Sequence, residues 1–233
     1  MTDEPPVRTE RIGGRLEIVL NRPARRNAVT PALSHALRDA VVAAGDDPDV
    51  GCVVLRGAGG TFCSGLDLGD PGAAPGDPAA RAAWVAVHQA IHRSPVPMVV
   101  ALERFAINAG AALALAADLV VAGESAVLQV GEIALGLAAP MCQAWLHLRH
   151  APAVGDRVTL LGDRIAAPEL LRLGLVTEVV ADDAVVERAR ALADRIAGHP
   201  AEGRRAIRST WVRLRGGPPD PDAWFAAVAG LAR

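Results

Sequence analysis

The chain has 233 residues, 24 basic and 26 acidic side chains, a formal charge of −2 and 51% hydrophobic residues. All 24 cations are arginine and tyrosine is absent, which excludes a Schiff-base lysine, a P-loop lysine and a Tyr/Lys hydride-transfer pair. The near-neutral balance argues against a nucleic-acid partner, and the apolar content suffices for a large core in one domain or at most two.

The acidic start, Met1 to Pro6, has no apolar run of the secretory kind. Three cysteines, Cys52, Cys63 and Cys142, occur without a CxxC pair. They suggest neither a disulfide framework nor a metal site, and the expected compartment is reducing and cytoplasmic. Alternation over 15–20 predicts a strand ended by Asn21-Arg22-Pro23. Thr30-Pro31 reads as an N-cap with proline at N1, opening a helix to about residue 44. Residues 52–55 form a continuous apolar run, a strand buried on both faces. A loop over 61–68 follows, and then a Gly-, Pro- and Asp-rich stretch over 69–78, expected to be mobile. A helix over 79–93 turns Trp84, Val87 and Ile91 to the core, and 98–102 is the next strand. The apolar run over 105–122 is broken by Asn108 and Asp118, which fits a buried helix between two strands better than a membrane span. A short strand over 126–130 comes next. Beyond Pro140 the chain reads as helical except over 176–180, and Pro218-Pro219-Asp220-Pro221 sets off a last helix carrying Trp224 and Phe225. Strands and helices alternate, so the class is α/β with parallel pairing. The expected division is a core over 1–184 and a helical oligomerisation region over 185–233.

Three segments bear chemistry. In Phe62-Cys63-Ser64-Gly65-Leu66-Asp67-Leu68, glycine either makes an ordinary turn or lets successive N–H groups converge on one acceptor. Ser64 lacks the G-x-S-x-G elbow of a hydrolase nucleophile. In Asn108-Ala109-Gly110-Ala111-Ala112 a helix begins on small residues, which serves either close packing or an anion at its unpaired N–H groups. In Gly131-Glu132-Ile133-Ala134-Leu135-Gly136 a lone carboxylate lies among apolar residues. It either turns to solvent or is a base with a raised pKa.

Taken in order over about residues 10–215, these segments resemble the crotonase family, the enoyl-CoA hydratase/isomerase superfamily. Leu20-Asn21-Arg22-Pro23 with Asn27-Ala28-Val29 is similar to its N-terminal strand-loop signature, and 62–68 to its F-x-(A/S)-G-x-D-(L/I) loop. Asp118-Leu119-Val120, 131–136, and 161–169 with Gly174-Leu175-Val176 match later family segments. The resemblance implies a crotonase-like spiral of β-β-α turns with a helical C-terminal trimerisation region, assembled as a homotrimer or dimer of trimers. It also implies an acyl-CoA thioester substrate, no cofactor beyond its coenzyme A moiety, no metal, and neither membrane nor nucleic acid as partner. The backbone N–H groups of Leu66 and Ala109 would hold a thioester enolate, with Glu132 catalytic. Ala24, Arg25 and Arg26 with Ser64, Gly65, Leu66, Asp67 and Leu68 would line the CoA path, Arg25 or Arg26 either meeting phosphate or standing solvated. The 69–78 stretch would shape the acyl pocket.

Two departures bear on the reaction. Ala112 occupies the place of the first hydratase glutamate, and Asn108-Ala109-Gly110 replaces most of a glycine triplet. Leu135 to Pro140 is similar to the segment after the catalytic Glu in Δ3,Δ2-enoyl-CoA isomerases. The first expectation is therefore a double-bond shift with Glu132 carrying the proton from C2 to C4. Hydration with Glu132 alone and a non-catalytic CoA-thioester binder are the alternatives. Asp67 and Asp118 read as turn or cap residues and Cys63 as packing. His88 and His92, spaced i,i+4 without H-E-x-x-H, read as a helix face near the 69–78 stretch, and His147 and His150 have no stronger claim.

Overall fold

Apolar runs with no polar face become the central strands of a layered sheet. The computed structural model describes residues 4–69, 77–214 and 220–230. In chain order, β1 (Val7–Ile12) and β2 (Arg15–Leu20) form a hairpin, followed by α1 (Pro31–Asp46), β3 (Cys52–Gly57), α2 (Pro78–Arg93), β4 (Met98–Leu102), β5 (Phe105–Ile107) and α3 (Ala109–Ala116). Then come β6 (Leu119–Gly123), β7 (Val127–Gln129), α4 (Pro140–Arg149), α5 (Pro152–Leu161), β8 (Ile165–Ala166), α6 (Ala167–Arg172) and β9 (Glu178–Val180). Helices α7 (Val185–Ala197), α8 (Ala201–Leu214) and α9 (Pro221–Gly230) end the chain.

One sheet has the order β1-β2-β3-β4-β6-β9, parallel except for the first pair, and a second has the order β5-β7-β8. After the β1–β2 hairpin, successive turns of the chain lay one strand in each sheet before a helix or 3₁₀ turn. β4 and β5 lead to α3, β6 and β7 lead to a 3₁₀ turn over Glu132–Leu135, and β3 reaches the second sheet through a Cys63–Ala106 bridge before α2. This is the crotonase-like α/β spiral, closed by a helical C-terminal region.

Alternation sorts the central strands between two apolar layers. Val53, Leu55, Val100 and Leu102 join the main core with α1, α2 and α3. Cys52, Val54, Val99 and Ala101 face the other way, onto Val185, Ala189, Leu192 and Ala193 of α7. Helix α7 therefore covers the sheet of its own chain. Beneath it Glu17 is fully buried, held by Arg190 (2.6 Å), Arg56 (2.9 Å) and Arg15 (3.5 Å). Burial alone would raise its pKa, but Arg190 and Arg56 hold it below the ordinary value.

The proline-opened α1 is observed, Thr30 Oγ1 accepting the Leu33 N–H at 3.2 Å. Helix α3 lies wholly buried between β5 and β6. Residues 70–76 of the Gly- and Pro-rich stretch lie outside the described residues, as does the Pro218-Pro219 break. His88 and His92 are buried, at 0% and 4% exposure, because α4 and α9 cover that face of α2. The Trp145 indole N–H donates to His88 Nδ1 at 2.8 Å, and Phe225 stacks edge-on to His92.

Burial pushes the His88 pKa from 6.5 down to about 3. The folded state holds this imidazole neutral, so its contribution is whole above pH 6.5 and is lost as pH falls toward 3. The melting temperature should fall between pH 6.5 and about pH 5. The slope should shrink in His88→Gln, which keeps an acceptor for Trp145; equal slopes in the two proteins would contradict the assignment.

Candidate active site

The three chemistry-bearing segments meet because their backbones approach without side chains between them. Ile107 N–H donates to Cys63 O (3.1 Å) and Cys63 N–H to Phe105 O (3.2 Å), lacing the loop after β3 to β5. A Cβ on Gly110 would lie 2.4 Å from Cys63 O, and one on Gly65 would lie 3.0 Å from Ile107 O. Gly65 also sits at φ +101°, open in practice only to glycine. The sharp turn that glycine allows there is observed. On the other side Val29 accepts the Asp67 N–H at 2.9 Å and donates to Gly65 O at 2.8 Å. Among the described residues no backbone or side-chain acceptor takes the N–H of Leu66 or of Ala109, the first residue of α3.

Leu66 and Ala109 both line a cavity of about 320 Å³ whose wall also includes Trp84, Asn108, Ala112, Glu132, Leu137 and Met141. Glu132 is half-buried, with Oε2 shut from solvent and without a hydrogen-bond partner. Burial pushes its pKa up, and its own backbone N–H is the one group that lowers it. A buried carboxylate oxygen with no partner is costly to the fold and asks for an explanation in function. Cys142, also on the wall, is raised well above the thiol range by burial and then by the Glu132 charge, so it stays a thiol. Among the described lining residues Glu132 is the one carboxylate, and Ala112, 1% exposed, offers only a methyl group.

A second cleft of about 570 Å³ shares Ser64, Leu66 and Leu68 with this cavity and continues past Ala24, Arg25, Arg26 and Asp67. All the residues expected along the CoA path line one or other space. Asn27 anchors the arginine loop: at φ +55° and fully buried, it donates to Ala58 O (2.9 Å) and Thr61 O (2.6 Å) and accepts the Arg22 N–H (2.9 Å). Asp67 joins loop to loop through Arg25 and Arg22, both at 2.9 Å. Arg25, then Arg22, hold its pKa below the carboxylate range against burial. Arg25 is thus ion-paired within the cleft wall, while Arg26 stands exposed. Asp118, read as a cap, accepts the Met98 N–H at 3.0 Å and pairs with Arg149 and Arg208.

A family model described as enoyl-CoA hydratase/isomerase matches residues 10–213. The chain belongs to this family. It is 35% identical over 211 residues to a probable enoyl-CoA hydratase of Rhodobacter capsulatus, covering 88% of this chain and 80% of that one. It is 30% identical to the 1,2-epoxyphenylacetyl-CoA isomerase of Escherichia coli over 84% of this chain and 77% of that one. The crystal structure of carnitinyl-CoA hydratase from Mycobacterium avium superposes with a TM-score of 0.83 at 32% identity, covering 98% and 89% of the two chains. Membership brings general acyl-CoA-processing chemistry to the chain.

Two residues that line these spaces were not singled out from sequence. Arg164 lies within the 161–169 family segment, leading into β8, but was not read as a lining residue; it lines the larger cleft from 96 residues beyond Leu68. Asn108 was noted only as a departure from glycine; it stands at φ +50° and accepts the Gly131 N–H at 2.9 Å.

The raised pKa of Glu132 has a stability consequence. A carboxyl whose folded-state pKa is raised stabilises below its ordinary value, and that contribution is lost as pH rises through the raised one. Glu132→Gln should therefore melt above the wild type at pH 7, and the gap should close as the pH is lowered into the carboxylate range. A Gln variant melting below the wild type at pH 7 would contradict a base held at the expense of stability.

Proposed function

We propose that the protein catalyses hydration and dehydration across C2–C3 of an acyl-CoA thioester, with Glu132 as its single acid–base group and the Leu66 and Ala109 N–H groups as the oxyanion hole. The observation that carries this reading is that Glu132, whose Oε2 has no partner, lines one cavity with Leu66 and Ala109, whose backbone N–H groups are unspent. In the hydration direction Glu132 takes a proton from water as its oxygen bonds to C3. The C2–C3 π electrons move to the thioester oxygen, where the two N–H groups meet the developing charge. Glu132 then returns that proton to C2, the enolate collapses, and a 3-hydroxyacyl-CoA leaves with the carboxylate regenerated. One carboxylate suffices because the proton removed from water is the one delivered to carbon. Removing one oxyanion donor typically costs about 2.7–4 kcal/mol of barrier.

The relatives named as hydratases support hydration ahead of the double-bond shift that the sequence placed first. The shift remains the second reading, favoured by Ala112, which leaves no partner carboxylate to share a water. There Glu132 would take the C2 proton of a 3-enoyl-CoA and return it to C4 through the same enolate. The exposed Ile207, Trp211 and Leu214 of α8 support the self-association that family resemblance implies.

Incubation with a 2-enoyl-CoA and, separately, a 3-enoyl-CoA decides between these readings. Formation of 3-hydroxyacyl-CoA from the 2-enoyl substrate, abolished in Glu132→Gln, is the expected result. Conversion of 3-enoyl to 2-enoyl-CoA with no hydration product would transfer the proposal to the second reading, and thioester binding with no product from either would overturn both.

A further inference from the structure

Asn108 stands where the segment bearing an oxyanion donor meets the segment bearing the base. Its backbone N–H donates to Gln129 O at 2.8 Å, and its carbonyl accepts the Ala112 N–H at 3.0 Å and the Cys142 thiol at 3.4 Å. Its side-chain Oδ1 accepts the Gly131 N–H at 2.9 Å. Ala109 follows it directly in sequence, and Glu132 follows Gly131 directly. One residue therefore grips helix α3 with its backbone and the peptide leading into Glu132 with its side chain.

The backbone of Asn108, at φ +50° and ψ −108°, lies where glycine is the ordinary occupant and a side chain is strained. An asparagine kept in such a conformation must give something that glycine cannot, and here that is the Oδ1 acceptor. The opposing segment has little else to fix it. The 3₁₀ turn over Glu132–Leu135 contains no buried residue, Gly131 has no side chain to pack, and the Glu132 Oε2 has no partner. Behind it Gln129 is tied to Gly162 O at 2.9 Å, so the constraint reaches Gly131 from one side through the strand and from the other through Asn108.

We propose that Asn108 is a positioning residue, its side chain holding the Gly131–Glu132 peptide so that the base and the Ala109 donor keep a fixed geometry about one substrate. This rests on the roles given above to Glu132, Leu66 and Ala109. Displacement of a catalytic group by about 1 Å costs on the order of 10²-fold in rate without a matching loss in binding.

The test compares Asn108→Gly and Asn108→Asp with the wild type, using whichever enoyl-CoA is turned over, and runs Glu132→Gln in parallel. Glycine suits the backbone and removes only the acceptor; aspartate keeps the acceptor and adds a negative charge. Asn108→Gly should lose about 10²-fold in kcat with KM within about threefold of wild type, its melting curve remaining cooperative. Asn108→Asp should recover most of that loss, with the acid limb of its kcat profile moved to higher pH because the added carboxylate opposes ionisation of Glu132. Wild-type kcat in Asn108→Gly, a loss confined to KM, or an Asn108→Asp variant as slow as Asn108→Gly would each overturn the positioning role. If Glu132→Gln is inactive while Asn108→Gly turns over normally, only the positioning role fails. If Glu132→Gln is fully active, the assignment of the base fails and the proposal with it.

Discussion

The site depends on one close approach, that of Gly110 at the start of α3 to the carbonyl of Cys63. No side chain fits between them. This contact brings the N–H of Ala109 and the N–H of Leu66 to the same cavity, since Leu66 lies three residues past Cys63 along the loop. The run of alanines that follows lets α3 sink wholly into the core behind its donor end. Of the two readings the sequence left open, close packing is observed, and it also leaves the helix start free for the oxyanion role proposed above.

The arginine-only cation set explains how the rest of the charge is managed. Glu17, Asp67 and Asp118 are each gripped by at least two arginines, whose planar forks satisfy a carboxylate at little reorganisation, and each is held below its ordinary pKa. These pairs fasten α7 to the sheet, the N-terminal loop to the oxyanion loop, and α4 and α8 to the start of β6. Glu132 has no arginine beside it, and burial moves its pKa the other way. Structural carboxylates are thus neutralised by paired cations, while Glu132, the proposed base, is left with an unpartnered oxygen. Separating pKa values in this manner is how one chain holds both ionised struts and a usable base.

Much of this was legible before any coordinates. The apolar run at 52–55 read as a strand buried on both faces and 98–102 as the next strand, Thr30-Pro31 read as a helix start, and the order of motifs from Asn21 to Val176 carried the family. The short elements were not legible: β5 and β8, of three and two residues, exist only because a second sheet offers them partners. β1 is five-sixths exposed along its length and reads as a polar stretch until it pairs with β2. The burial of His88 and His92 is a tertiary fact, set by Trp145 and Phe225 from helices distant in sequence. Asn108 looked like the loss of a glycine because its gain, the bond to Gly131, spans 23 residues.

The central claim is that the half-buried Glu132 exchanges a proton with C2 of a bound thioester whose charge rests on two backbone N–H groups. Deuterium uptake at C2 of a 3-hydroxyacyl-CoA or 3-enoyl-CoA in heavy water reports that step whether or not net product accumulates. Wild-type protein is predicted to label C2, with an acid limb displaced above the ordinary glutamate range, and Glu132→Gln to bind the thioester without labelling it. Labelling by Glu132→Gln at the wild-type rate would contradict the claim.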